Sequence, residues 1–393
     1  RLTDVTGVQT CALPIYAEYA RRLDEALPAG LRVIGPNCMG VFYAPDADSP
    51  GLNTLFIEEK RLELGYSSAG NTVLLTQSGA FSVTAIDKFQ RSRLFKAIVS
   101  FGNKYDVKIP DLIAYFSNKP GIGLISLYIE GLDPGEGRGF FDLVRKLSLP
   151  VIVYKSGKTD AGARVAASHT ASMSGSYDVF RAACRQAGVI LVENIEDHYD
   201  VVKAFSLLSG KPPAGNRVAG VVNAGFESAV GADELARLTP AELSPATVRA
   251  LRGLDADGLV DTRSSFLDIT PMADDRMYGD FVQAVLADPN VDAAFVSVIP
   301  HTDALKTLPE NCRDPDSIAS RLVAIARSSD KPLVVSVNAG RYYQEFVTVL
   351  EENGLPVYAD IRSAIRSLDR FVDFHLARRD RKSTRLNSSH VSQ

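Results

Sequence analysis

His169 lies in a predicted loop that consists mostly of Ala, Gly and Ser, KTDAGARVAASHTASMSG (158–175). A neutral imidazole nitrogen can attack phosphorus when an acceptor holds the second ring nitrogen, because the acceptor fixes the tautomer and stabilises the developing charge. Glu130 ends the apolar run LISLYIEG and is the candidate acceptor. The alternative is that His169 has no chemical duty and lies near a helix start, with Ser168 and Thr170 as cap candidates, while Glu130 is exposed in a turn. The residues alone leave both interpretations open.

Four apolar runs are followed by loops, TQSGAF (76–81), SFGNKYD (100–106), YIEGLDPG (128–135) and YKSGKTD (154–160), and three of these loops are rich in Gly and small polar residues. If the runs are parallel strands, these loops converge on one sheet edge, where open α/β folds bind ligands. Exposed backbone N–H groups and helix N-termini favour phosphate at such an edge. The same residues also suit a tight βα turn, and for VVNAGFES (221–228) and SVNAGRYYQE (336–345) we favour the turn.

The elements that must position these loops follow a βα alternation. From about residue 71, each short run of Val, Ile and Leu is followed by a turn and a helical stretch. The runs carry apolar residues consecutively, so both faces of the sheet should be covered, as in a parallel sheet between helix layers. The predicted strands begin near Val73, Ile98, Ile125 and Val151, and VILVEN (189–194) closes the set. We predict a flavodoxin-like doubly wound domain over residues 66–210.

A second domain of the same α/β class is predicted over residues 215–377, after the linker KPPAGN (211–216). Its predicted strands are RVAGVVNAG (217–225), FLDIT (266–270), AAFVSVIP (293–300), PLVVSVNAG (332–340) and LPVYAD (355–360).

Residues 16–65 are predicted to be the C-terminal remnant of another domain, with a helix at YAEYARRLDEAL (16–27) and a strand leading into a tight turn at LRVIGPNCMG (31–40). Residues 1–15 and 381–393 show neither helical nor strand periodicity and resemble translated adapter sequence. We predict both ends to be non-native read-through that fits no neighbouring element.

Composition excludes several classes of function. A net charge of -4 and a pI near 5.8 give no basic face for nucleic acid. Cys11, Cys38, Cys184 and Cys312 lie far apart without a CxxC pair, so we expect neither a metal site nor a disulfide framework. They indicate reduced thiols of a cytoplasmic protein. Apolar runs are far shorter than the roughly 20 residues that span a bilayer, so no membrane segment is predicted.

The motifs VIGPNCMG, VLLTQSGAFS, SFGNKYDV, LYIEG, YKSGKT, ASHTASMSGSYDVFRAACRQAGVILVEN and VVNAG occur in that order between about residues 17 and 375. Together they resemble the alpha-type region of the ADP-forming acetyl-CoA synthetases. These belong to the NDP-forming acyl-CoA synthetases and are related to the alpha subunit of succinyl-CoA synthetase.

This resemblance implies a Rossmann-type CoA-binding domain, of which 16–65 would be the remnant, followed by two flavodoxin-like domains. It also implies an ATP-grasp beta-type subunit or fused domain that handles ADP or ATP and Mg²⁺. In the implied reaction, acyl-CoA and phosphate give an acyl phosphate, whose phosphoryl group passes to a histidine and then to ADP, leaving the small carboxylic acid.

By motif, His169 matches the phosphorylated histidine and Glu130 the glutamate that contacts it. The positions that match the phosphate-binding loops are Ser78, Gly79, Gly102 and Asn103. The positions that match the motif near the CoA thiol are Gly35, Pro36, Asn37 and Cys38.

Two positions depart from the family pattern: Phe226 stands where a second Gly is usual, and Lys104 stands where an acid is common. The main alternative function is an acyl-CoA-sensing regulatory part of a protein lysine acetyltransferase. Such proteins often lack the histidine, so the presence of His169 favours the ligase. A third possibility is a ligand-binding or scaffolding α/β protein with no active chemistry at its strand ends.

Overall fold

A computed structural model of the chain describes residues 18, 21–47, 49–62, 70–170 and 176–390, without the side chains of Glu59, residues 166–170 and residues 382–390. The chain divides into two compact units between His198 and Tyr199. This division falls inside a helix rather than in the linker predicted at 211–216. In the described ranges, no helix combines the length and apolar character needed to cross a membrane.

The first unit is built on a seven-stranded sheet with the strand order β2-β1-β4-β3-β5-β6-β7. In chain order its strands are β1 (Gly40–Tyr43), β2 (Leu52–Asn53), β3 (Thr72–Thr76), β4 (Phe95–Ser100), β5 (Leu124–Ile129), β6 (Val151–Lys155) and β7 (Ile190–Val192). Strands β3 to β7 pair in parallel and have the flavodoxin order, with β4 and β5 on either side of the first parallel strand, β3. The predicted parallel sheet is therefore confirmed.

Helices cover both faces of this sheet. They are α1 (Gly79–Lys88), α2 (Ile109–Ser117), α3 (Glu136–Val144), α4 (Asp160–Thr170), α5 (Tyr177–Ala187) and α6 (Ile195–Leu207), the last of which continues into the second unit. Side chains from α2, α3 and α5 share one core with alternate residues of the central strands. On the other face, Phe81 of α1 contacts His198 at the start of α6. Full burial of β3 and β4 explains their unbroken apolar runs.

The strand predicted at 31–40 is wrong, because β1 begins only at Gly40. The preceding segment bonds to a loop instead of a strand: Tyr105 N–H donates to the Gly35 carbonyl (2.9 Å) and Val33 N–H donates to Asp106 (2.7 Å). From Gly40 onward, β1 pairs antiparallel with β4. Two strands from the predicted remnant 16–65 thus belong to the first sheet. Residues 21–26 are helical, within the helix predicted at 16–27.

The second unit repeats the flavodoxin order in the parallel path β10-β8-β11-β12-β13, with β9 also paired to β8. Its strands are β8 (Arg217–Val222), β9 (Thr239–Pro240), β10 (Phe266–Asp268), β11 (Ala293–Val298), β12 (Leu333–Val337) and β13 (Val357–Tyr358). Its further helices are α7 (Gly225–Asp233), α8 (Pro245–Leu254), α9 (Asp275–Ala287), α10 (Ile318–Ser328), α11 (Gln344–Glu352) and α12 (Ile361–His390). The second predicted flavodoxin-like sheet is confirmed.

The C-terminal segment differs from the prediction. Residues 381–390 continue α12, although they were predicted to fit no neighbouring element, whereas 391–393 and 1–15 lie outside the described residues. Buried Ile365, Leu368 and Phe371 fix the first half of α12. Once a helix is nucleated, each added residue gains a backbone hydrogen bond, so extension does not require apolar periodicity.

A buried ion pair joins the loop after β4 to the start of α3 at the carboxyl edge of the first sheet. Lys104, with its side chain 1% exposed, approaches Glu136, 3% exposed, at 2.6 Å. Lys104 Nζ also donates to the Gly131 carbonyl (2.9 Å). Glu136 accepts from the backbone N–H groups of Ile109 (3.0 Å) and Asp133 (2.8 Å). Lys104, which departs from the family pattern, therefore has a structural role: it holds the loop after β4 against the start of α3.

We expect Lys104→Met to lower the free energy of unfolding of the first unit by about 3–5 kcal/mol, because Glu136 would stay buried without its cation. Adding Glu136→Gln should recover part of this loss, since the glutamine is neutral and its oxygen still accepts from a backbone N–H. Urea denaturation followed by circular dichroism measures both. The control is Arg138→Ala, which breaks an exposed pair with Asp142 and should have a much smaller effect. Equal losses in Lys104→Met and Arg138→Ala would contradict a structural role for the buried pair.

His198 is buried against the middle of β5 in the first sheet. Its Nε2 forms a hydrogen bond of 2.7 Å with Ser126 Oγ of β5, and its ring contacts Phe81 edge-on. Burial lowers the pKa of His198 from 6.5 to about 3. The folded protein therefore holds this imidazole neutral at pH values where an unfolded chain binds a proton.

The wild-type protein should lose stability as the pH falls from about 6.5 towards 3, because protons bind His198 only in the unfolded state. This histidine contributes at most about 1.4 kcal/mol per pH unit to the slope. In His198→Asn that contribution is absent, so the stability gap to wild type should narrow on acidification. Denaturation series from about pH 7 to pH 4 measure it. The exposed His301→Asn should follow wild type, and parallel wild-type and His198→Asn curves would refute the assignment.

Candidate functional site

The carboxyl ends of β3 and β5 meet at the switch point of the first sheet, where the chain order reverses and doubly wound folds bind ligands. Helix α1 begins here. Ser78 caps it by accepting from Phe81 N–H (3.3 Å), and Thr76 Oγ1 donates to the Ser78 carbonyl (2.8 Å). The first turn of α1 contains no acidic residue. Its N–H groups and helix dipole therefore favour an anion at this point.

Glu130 is held at the same switch point through its main chain. Its N–H donates to Gln77 Oε1 (2.8 Å), and Gly131 N–H donates to the same oxygen (3.3 Å). Lys155 Nζ, at the end of β6, donates to the Glu130 carbonyl (2.9 Å). The carboxylate accepts from Tyr128 (3.3 Å). The ends of β3, β5 and β6 thus fix the backbone from which Glu130 projects.

Positive charge accompanies this arrangement. Lys155 is 2% exposed, burial lowers its pKa, and Glu130 opposes that shift. Lys158 pairs with Glu193 after β7 (3.0 Å). Burial also raises the pKa of Tyr128 to about 12, so its hydroxyl remains a donor at neutral pH. Lys155 and a helix N-terminus make this edge compatible with phosphate, while the charge of Lys158 is offset by Glu193.

The residues predicted near CoA and those predicted near phosphate contact one another. Asn103 N–H donates to the Pro36 carbonyl (2.9 Å), and Asn37 Nδ2 donates to Asn103 Oδ1 (3.3 Å). Gly102 has φ +53°, and a Cβ there would lie 2.6 Å from the Asn37 carbonyl carbon, so only glycine fits. Cys38 is partly exposed. The predicted CoA loop is therefore built directly onto the loop after β4.

A second contact links the CoA loop to α1. A Cβ added at Gly79 would lie 3.1 Å from Met39 Cβ, and Met39 N–H donates to Ser100 Oγ (2.9 Å) at the end of β4. Residues 35–39 therefore run between the start of α1 and the loop at Gly102.

The backbone of His169 belongs to the last turn of α4, not to the small-residue loop that was predicted around it. The sequence DAGARVAASHT is rich in alanine, which has the highest helix propensity, and this explains the difference. The side chain of His169 lies outside the described residues. Its contact with Glu130 therefore stays a prediction.

In the second unit the corresponding switch point, between β8 and β11, is filled by the protein's own groups. Asn223 donates to the Ile299 carbonyl (2.9 Å) and accepts from its N–H (2.8 Å). Glu227, fully buried in α7, accepts from Ser297 (2.9 Å) and Asn338 (2.9 Å). These contacts support the interpretation of both Asn-Ala-Gly sequences as tight turns.

Three residues of the site framework were not singled out from the sequence: Gln77, Lys155 and Glu136. Lys155 leaves a signal, because it is a charged residue that ends the apolar strand VIVYK. The sequence around Gln77 and Glu136 gives no such signal, since their hydrogen-bond and ion-pair partners lie in distant parts of the chain. Across the described ranges, no group of three or more His, Cys, Asp or Glu side chains is placed to bind a metal ion.

Comparison with known proteins places this geometry in a family. The sequence profile of the succinyl-CoA ligase-like flavodoxin domain matches residues 69–205. The alpha subunit of ADP-forming acetate–CoA ligase II from Pyrococcus furiosus is 31% identical over 84% of this chain and 68% of its own length. ADP-forming acetate–CoA ligase II from Archaeoglobus fulgidus is 31% identical over 91% of this chain, which spans 51% of that protein.

A solved structure agrees with the sequence relatives. The dinucleotide-forming acetyl-coenzyme A synthetase 1 of Ca. Korarchaeum cryptofilum, in complex with phosphate and ADP, superposes with a TM-score of 0.78 at 28% identity. The match covers 92% of this chain and 74% of that one. The chain thus belongs to the ADP-forming acid–CoA ligases related to succinyl-CoA ligase and corresponds to their alpha-type region.

Proposed function

We propose that this chain is the phosphoryl-relay part of an NDP-forming acyl-CoA synthetase. The complete protein would convert acyl-CoA, phosphate and ADP reversibly into acid, CoA and ATP. The observation that carries the proposal is the switch point of the first sheet, where Ser78 and Gly79 begin a helix beside the anchored Glu130. The named ligase relatives support this function over an acyl-CoA-sensing part of a lysine acetyltransferase.

In the proposed reaction, a phosphate oxygen attacks the thioester carbonyl, the C–S bond breaks and CoA leaves as its thiolate. An imidazole nitrogen of His169 then attacks the phosphorus of the acyl phosphate, and the P–O bond to the carboxylate breaks. Glu130 would hold the other ring N–H and stabilise the positive charge on the ring. A terminal oxygen of ADP finally attacks the phosphohistidine, breaking the P–N bond and forming ATP.

We assign phosphate binding to Ser78, Gly79, Gly102 and Asn103. Support comes from their positions: the first two begin α1, and the last two lie in the neighbouring loop, which the CoA segment joins. We assign the thiol end of CoA to Gly35, Pro36, Asn37 and Cys38. Main-chain contact between the two loops would bring the thioester close to the phosphate that attacks it, as proximity requires.

Nucleotide and Mg²⁺ would bind to an ATP-grasp beta-type subunit or fused domain. Mg²⁺ bound there would neutralise phosphate charge during transfer. The names of the relatives support such an arrangement, because one is a separate alpha subunit and another is a single protein about twice as long as the matched region. A covalent phosphohistidine would let the phosphoryl group travel between the two sites without hydrolysis.

Incubation of the chain with acetyl phosphate labelled on phosphorus should give an acid-labile, base-stable label on one histidine. His169→Ala should abolish the label, because the nucleophilic nitrogen is gone. The matched control is His301→Ala, which removes an exposed histidine of the second unit and should label like wild type. Absence of label on the wild-type chain, or equal label on His169→Ala, would contradict the proposal that His169 carries the phosphoryl group.

Glu130→Gln should slow labelling of His169 by about 10²- to 10⁴-fold, the usual loss when a group that fixes an imidazole tautomer is removed. The backbone contacts of Glu130 do not involve its carboxylate, so stability should change little. Single-turnover labelling measures the rate. Asp178→Asn, on the exposed side of α5, is the control and should label at the wild-type rate. Labelling of Glu130→Gln within about twofold of wild type would exclude an orienting role for this carboxylate.

A further inference from the structure

Gln77 crosses the switch point of the first sheet between the end of β3 and the loop after β5. Its backbone N–H donates to the Tyr128 carbonyl (3.1 Å), and its side chain is only 4% exposed. Oε1 accepts from two backbone donors, the N–H groups of Glu130 and Gly131. Only a carbonyl oxygen can accept both bonds, so this pair of donors fixes the orientation of the amide. Nε2 therefore lies on the opposite side, away from residues 130 and 131.

Within the described ranges, this buried Nε2 has no hydrogen-bond partner. A buried amide donor is costly to leave without an acceptor, and buried polar groups in native proteins are nearly always paired. The side chain gains rigidity from its two contacts through Oε1. The protein thus holds a buried amide donor at the point where the fold is predicted to bind its ligand.

The groups around this donor indicate which class of acceptor it would bind. The next residue, Ser78, caps α1, whose first turn presents N–H groups. Lys155 Nζ lies at the adjacent strand end and donates to the Glu130 carbonyl. A site bordered by a helix N-terminus, an ammonium group and an amide N–H is suited to an anion with several acceptor oxygens.

We propose that Gln77 is a phosphate-binding residue, whose Nε2 donates to a non-bridging oxygen of the phosphoryl group bound at the start of α1. Oε1 meanwhile holds the backbone of Glu130. One amide would then tie the position of the phosphoryl group to that of the glutamate that orients the histidine. This inference rests on the proposed phosphoryl relay and adds to it a residue that determines affinity for the phosphoryl group.

The variant Gln77→Glu separates the two halves of the amide. A carboxylate still accepts from the N–H groups of residues 130 and 131, so the loop stays anchored, but the donor is replaced by a negative oxygen. Binding of inorganic phosphate to the full chain, measured by calorimetry, should weaken by about 10- to 100-fold. Half-saturation of His169 labelling should require a similarly higher concentration of acetyl phosphate. Both losses should shrink as the pH falls and the new carboxyl group gains a proton that it can donate.

Gln186→Glu is the matched control, because it introduces the same charge change on an exposed position of α5. If Gln77→Glu does not fold, Gln77→Met is tested by the same titrations, since it keeps the size of the side chain and removes the donor. Wild-type phosphate affinity in the folded Gln77 variant would contradict phosphate binding by Gln77 without contradicting the proposed phosphoryl relay through His169. Absence of His169 label in the wild-type chain would overturn both.

Discussion

One constraint places the groups of the candidate site: the loops that follow β3 and β5 must be linked where the chain order reverses. A parallel sheet leaves a crevice at that point, because the connections that follow the two strands pass to opposite faces of the sheet. In the first unit the crevice is bridged by the single amide of Gln77, which accepts from the N–H groups of Glu130 and Gly131 in the loop after β5. In the second unit the equivalent crevice is closed by Asn223 and the buried Glu227. The same topology is therefore bridged by one amide in the first unit and filled by two side chains in the second.

This contrast gives a physical reason why the two units would differ in their ability to bind phosphate. The N-terminus of α1 has no acidic residue in its first turn, whereas α7 has Glu227 there, hydrogen-bonded to Ser297. A carboxylate at a helix N-terminus occupies the position that an external anion would take. The phosphate chemistry that we propose is accordingly assigned to the first unit alone.

Much of the fold could be predicted because its signals are local. Unbroken apolar runs such as TVLLT and AAFVSV are typical of strands covered on both faces, and these strands lie where they were predicted. The segment 31–40 was predicted wrongly because Leu31, Val33 and Ile34 are strand-like residues, while the partner of this segment is the loop at residues 103–107. His169 was predicted in a loop, although the alanines before it extend α4. Gln77, Lys104 and Glu136 could not be assigned, since their partners come from distant parts of the chain.

The contact between residues 33–37 and the loop after β4 is made mainly by main-chain atoms: the carbonyls of Gly35 and Pro36 accept from Tyr105 and Asn103, and Gly102 supplies the necessary closeness. An attachment of this kind depends little on which side chains the segment carries. Cys38 can therefore be replaced without changing how the loop is held, whereas Asn37 is constrained by its left-handed φ of 56° and by its hydrogen bond to Asn103. The chemistry that this loop presents can thus change at position 38, while position 102 is restricted to glycine by its close approach to Pro36 and Asn37.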